Sequence, residues 1–162
     1  EPKYLPSTLR VLDNQDFFTE SLKVDCEIIR TNHPGYCYGY KISKRGKSIA
    51  FLLDNQIHDT GHNITPYSDL VAFCEGVDYL VHDAQFLPSD MPHKQDWGHS
   101  LLRDVKKLAR DASVKNLILF HHDPERSDKA VDKMERDANK WFASQELEIN
   151  CIAAYDGLEI SV

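Results

Sequence analysis

Apolar positions along this chain follow two periods, and the change comes about a third of the way in. From Lys23 to Arg30, Val24, Cys26 and Ile28 alternate with polar residues, the pattern of a half-buried strand. Thr31-Asn32-His33-Pro34-Gly35 breaks it with a loop. Tyr36–Ser43 predicts a second strand and Lys44–Lys47 a hairpin turn, with Gly46 free to take positive φ. Ser48–Leu53 predicts a third, strongly apolar strand that stops at Asp54-Asn55. Upstream, Thr8–Leu12 suggests a short strand and residues 13–16 a turn.

Beyond Asn55 the spacing becomes helical between short apolar runs. A helix is expected over Pro66–Glu75, capped by Thr65 and followed by Gly76. Val77–Val81 is a buried strand, and Phe86–Trp97 is a loop holding Pro88 and Pro92. Leu101–Ala112 places Leu101, Leu102, Val105, Leu108, Ala109 and Ala112 on one helix face, with Ser100 as cap. Leu117–Phe120 is a strand. A helix from Asp128 to about Ser144 follows, capped by Ser127, then strands at Cys151–Tyr155 and Leu158–Val162. Strand–helix alternation of this kind predicts an α/β layered sandwich, and no repeat or linker divides residues 1–162 into more than one domain.

Composition narrows the function. A net charge of −7 argues against non-specific nucleic-acid binding, which needs a basic footprint. It leaves a phosphate substrate open, because a metal centre supplies local positive charge. No apolar run reaches membrane-spanning length. Cys26, Cys37, Cys74 and Cys151 lack CxxC spacing and sit in apolar or strand-like runs, which predicts buried free thiols and a reducing, cytoplasmic setting.

The candidate chemistry lies where apolar runs end in polar residues. His33 opens a loop fixed by Pro34 and Gly35; it is a surface histidine or a metal ligand. Asp54 ends a strand as a turn carboxylate or a metal bridge. His82-Asp83 ends another, either as a solvent-facing pair or as a carboxylate orienting a histidine. His99, between Gly98 and Ser100, stands at a helix start, where a phosphate is favoured. In His121-His122-Asp123-Pro124, alternation lets only one histidine face a site, and Asp123 can hold a histidine's second nitrogen. His58, His62 and His93 read as surface residues, and Asp128 and Glu135 as helix-surface charges. No phosphate-binding loop, GxGxxG or GxSxG occurs.

Taken in order, these stretches resemble the C-terminal part of a metallo-β-lactamase-fold hydrolase, an αββα sandwich, from about Tyr4 onward. NHPGYCYGYKI is similar to the family's third metal motif, SIAFLLDN to the strand ending in its bridging aspartate, and LILFHHDP to its last metal motif. YLVHDAQF followed by WGHS resembles the phosphodiesterase branch that includes ribonuclease Z, which carries Glu at the position of Asp83. The resemblance implies metal ligands at His33, Asp54 and His121 and a proton-handling pair in Asp83 and His99. His82 and Asp123 are expected in support.

It implies a dinuclear centre, of zinc or alternatively manganese or iron. The expected substrate is a small phosphodiester or nucleotide, with hydrolysis of another ester, thioester or lactam, or a metal-free regulatory module, as alternatives. The family's HxHxDH signature does not occur in these residues. The resemblance therefore implies that an N-terminal half of the domain supplies the remaining ligands as a partner segment, so that this chain alone would be inactive. A homo-oligomer is compatible with this reading; a membrane partner is not expected.

Overall fold

The computed structural model describes residues 23–58, 61, 63–91 and 93–161. The expected strand at Thr8–Leu12, its following turn, and His62 lie outside the described residues. Six strands form one sheet in chain order: β1 (Asp25–Arg30), β2 (Tyr38–Lys44), β3 (Lys47–Leu52), β4 (Tyr79–Asp83), β5 (Asn116–Phe120) and β6 (Asn150–Ala153). The first three run antiparallel, and β3 to β6 run parallel. The β2–β3 turn is two residues long, with Arg45 and Gly46 both at positive φ, the backbone that matches the twist of a tight hairpin.

Helices α1 (Tyr67–Cys74), α2 (Leu102–Asp111) and α3 (Asp128–Ser144) fill the crossovers between parallel strands. Alternation along the strands aims Ala50, Leu52, Leu80, Leu117, Leu119 and Cys151 into one core, where Leu70, Val105, Leu108, Met134 and Phe142 meet them from the helices. The opposite face carries Ile28, Tyr40, Phe51, Val81, Ile118 and Ile152, one residue per strand in register across all six strands. A sheet apolar on both faces is the inner layer of a sandwich. Among the described residues, no helix is long and apolar enough to cross a membrane.

Several local expectations are corrected. Thr65 and Ser100 do not cap helices: the capping positions are Pro66 and Leu101. The Thr65 hydroxyl instead donates to Arg30 O, and the Ser100 hydroxyl to Asn55 O, each at 2.5 Å. Ser127 occupies its capping position without a side-chain hydrogen bond. Residues 158–161 form no strand. The outer edge of β6 is already taken, because Asn139 pairs with the N–H and C=O of Cys151 and Glu135 accepts from Ala153 N. Glu135 is thus an edge cap rather than a plain surface charge. The chain then turns at Tyr155–Leu158, and Tyr79 Oη donates to Ser161 O.

At the far end of the parallel strands, Asp78 gathers the sheet. Its carboxylate accepts from Ser48 N at 2.9 Å and pairs with Lys115 at 2.8 Å. These bonds, the lysine's first, hold its pKa at about 2 against an ordinary 3.8. A carboxyl depressed by folding adds stability above its unfolded pKa and loses it as pH falls through the folded one. Urea denaturation midpoints should therefore drop between about pH 4 and pH 2. Asp78→Asn should lower the midpoint at neutral pH and flatten that acid limb.

Candidate metal centre

The three central parallel strands end side by side, and each delivers an acidic or basic group to the same edge. Asp54 stands two residues beyond β3, Asp83 is the last residue of β4, and His121 follows β5 directly. The carboxyl ends of adjacent parallel strands are where open α/β sheets gather binding groups. Asp54 and His121 both take left-handed backbone, φ +49° and +50°. For a residue with a Cβ this costs roughly 1–2 kcal/mol. It turns the chain sharply off the strand and swings each side chain over the sheet edge. The choice between His121 and His122 therefore rests on this bend, not on strand alternation. His122 turns away, its Nε2 donating to Ala154 O at 3.2 Å.

Around Asp54 the side chains converge. His121 Nε2 lies 3.0 Å from Asp54 Oδ1, and His99 Nδ1 lies 3.8 Å from the same oxygen. The His99 ring packs edge-on against both His33 and His121, with centroids 5.6 and 4.9 Å apart. His33, Asp54 and His99 each offer a donor atom within 4.8 Å of the other two. Two imidazoles and a carboxylate suit zinc or another divalent transition metal, so the donor set fits a metal ion. The grouping differs from the expected His33, Asp54 and His121: His99 joins His33, while His121 meets the cluster through Asp54.

Behind these side chains runs a buried polar chain. Asn55 Nδ2 donates to His82 Nε2 at 3.1 Å, and His82 Nδ1 donates to Asp83 O at 2.6 Å. Asp83 Oδ2 accepts from His99 Nδ1 at 2.7 Å. His82 and Asp83 are both fully buried. Burial alone would raise the Asp83 carboxyl, but the hydrogen bonds from His82 and His99 more than offset it and hold its pKa below the ordinary value. The acid is therefore ionised on His99. Asn55 also accepts from Asn32 N at 3.0 Å, which pins the His33 loop, and its carbonyl receives Ser100 Oγ.

Two expectations change here. Asp123 supports no histidine; its carboxylate pairs with Lys94 Nζ at 2.5 Å and accepts from Glu125 N. Cys37 is half-buried rather than core, with Sγ 3.5 Å from His33 Nδ1 and 4.0 Å from Asp54 Oδ2. Burial, and then the neighbouring Asp54, push its thiol up, so it is neutral at pH 7. His58 is half-buried, with Nε2 donating to Gln95 O, while His93 is exposed. The sequence marks none of Asn32, Asn55 and Gln85 as part of the site, and it marks Cys37 only as a buried free thiol. Asn and Gln next to strand-end residues look like ordinary turn formers, and only burial marks Asn32, Asn55 and Gln85 as part of the site.

Gly98 fixes the spacing of the two loops. It has φ +86°, and a Cβ there would lie 2.4 Å from His33 Cδ2 and 2.6 Å from Pro34 Cδ. Gly98→Ala should push the His33 and His99 loops apart. Its metal affinity should fall by at least tenfold, at the low end of what disturbed ligand support produces, when measured by chelator competition.

No protein-family model matches the chain. Ribonuclease Z of Halalkalibacterium halodurans is 31% identical over 113 residues, which cover 70% of this chain and 31% of that protein. Ribonuclease Z of Saccharolobus solfataricus is 37% identical over 89 residues, covering 55% and 27%. The chain thus spans about a third or less of the curated relatives it matches. Among solved structures, the metallo-β-lactamase-fold protein YhfI of Bacillus subtilis superposes with a TM-score of 0.60 at 19% identity, over 80% of this chain and 46% of that one. The mixed sheet, the strand-end site and these similarities together make the chain a metallo-β-lactamase-fold relative of ribonuclease Z that corresponds to part of the relatives' length.

Proposed function

We propose that this chain carries part of the active site of a metal-dependent phosphodiesterase acting on a small phosphodiester or nucleotide. The observation that supports it most is the buried Asp83 carboxylate bonded to His99 Nδ1, with His99 facing the Asp54 carboxylate. Lactam or thioester hydrolysis gives that pair no evident task. His33, Asp54 and His121 would hold two divalent ions, zinc first. When bound, the ions supply Lewis-acid polarisation of the phosphoryl oxygen and an activated water. Asp83 fixes the His99 ring through Nδ1, which leaves Nε2 to carry a proton to the departing oxygen. An open cavity of about 280 Å³ beside His33, walled by Pro34, Gln56, Ile64, Asp96 and Gly98, has room for a small leaving group.

Three ligands are too few for two ions. The remaining ligands are proposed to come from a segment with an HxHxDH motif outside these 162 residues, on the same or another polypeptide. A second reading, favoured by the close grouping of His33, Asp54 and His99, makes His99 itself a ligand.

The full-length protein loaded with zinc should cleave bis-p-nitrophenyl phosphate and leave a chromogenic lactam intact; the reverse result would sink the phosphodiesterase reading. His99→Ala should lower kcat by about 10²–10⁴-fold. Its metal content, read by elemental analysis, should stay at the wild-type value. Loss of one equivalent would move His99 to the ligand role.

A further inference from the structure

We propose that Gln85 is a positioning residue that decides which ring nitrogen of His121 is available to a metal, and that Arg126 anchors it. This rests on the metal-centred function proposed above. Gln85 lies two residues beyond β4 and is buried. Its side-chain Nε2 is 3.3 Å from His121 Nδ1, while His121 Nε2 is 3.0 Å from Asp54 Oδ1. The two ring nitrogens therefore face two different partners, and what Gln85 presents to one determines the state of the other.

With the amide nitrogen toward the ring, Gln85 donates to Nδ1. In the neutral imidazole the proton then sits on Nε2 and points at Asp54. That form blocks the lone pair an ion needs. Half a turn of the amide brings Oε1 to the same place at the same volume, because the two ends of the group are nearly isosteric. Oε1 accepts from Nδ1–H, and Nε2 is left with a free lone pair beside Asp54. Ligating histidines almost always donate their second N–H to an oxygen, and among the described side chains Gln85 is the one placed to receive it. The same side chain thus supports a proton-bridged His121–Asp54 pair in the empty site and a ligating His121 in the loaded one.

The anchoring is specific. Arg126, nearly buried, donates to Gln85 O at 2.9 Å and to Asp90 Oδ2 at 2.8 Å, and Asp90 Oδ2 also accepts from Leu87 N at 2.7 Å. Lys94, on the same segment, reaches across to Asp123. The loop that carries His121 therefore clamps the backbone of the residue that orients His121. This clamp keeps Gln85 within reach through either amide orientation.

Zinc and cobalt affinities of the full-length protein, measured by chelator competition, provide the test. Gln85→Leu should weaken binding by about 10–100-fold with its thermal midpoint retained, the usual effect of losing a ligand's outer partner. Gln85→Glu should restore affinity, since a carboxylate always accepts. Nitrogen-15 spectra of the metal-free protein should show His121 protonated on Nε2 in the wild type and on Nδ1 in Gln85→Glu. Unchanged affinity in Gln85→Leu, or no rescue by Gln85→Glu, overturns the inference. If the wild type takes up no metal, the metal-centred function fails; identical His121 tautomers in wild type and Gln85→Glu then overturn the role of Gln85 separately.

Discussion

The buried hydrogen-bond chain from Asn55 through His82 and Asp83 to His99 holds this site together. A polar group taken out of water without a partner costs several kcal/mol, and an unpaired charge far more. Asp83 stays ionised at zero exposure because His99 Nδ1 donates to its Oδ2 and the His82 ring lies close beside it, with Nδ1 3.0 Å from Oδ1. Asn55 extends the requirement outward. It touches the His33 loop through Asn32, the start of α2 through Ser100, and β4 through His82. Four separate segments meet at this one residue, through its side-chain amide and its backbone carbonyl, so the His33 and His99 loops are not independent surface features. In such networks partial satisfaction is worse than none, which ties the geometry of the site to the folding of its surroundings.

Backbone strain adds a second constraint. Two residues with side chains, Asp54 and His121, hold left-handed conformations at strand ends, and Gly98 holds one where no side chain would fit. Strained backbone persists where surrounding contacts over-determine it. Here the contacts are His121 to Asp54, Gln85 to His121, and the packed rings of His33, His99 and His121.

Much of this was legible in the residues. The strands around Cys26, Ala50, Leu80 and Leu117 and the faces of α2 and α3 follow directly from apolar periodicity, because packing against one core dictates it. The strand-end acids Asp54 and Asp83 stand out because a polar residue abruptly ends an apolar run. The rest depended on tertiary partners. Leu158–Val162 alternates like a strand, but the edge it would join is occupied by side chains of α3. Asp123 is drawn to Lys94, which sits in a loop with no periodicity to predict where it lands. Thr65 and Ser100 have the composition of helix caps, yet backbone carbonyls of neighbouring segments claim their hydroxyls. Asn55 carries no pattern at all; its role exists only once four segments have come together.

The occupied margin of β6 also sets a direction for assembly. An exposed strand margin is a template that another chain can extend, and native sheets usually protect it. Glu135 and Asn139 use three side-chain hydrogen bonds to engage the N–H of Ala153 and both backbone groups of Cys151. A strand arriving from outside would have to displace a helix before it could pair there. Growth of the sheet by strand addition is therefore blocked on the β6 side.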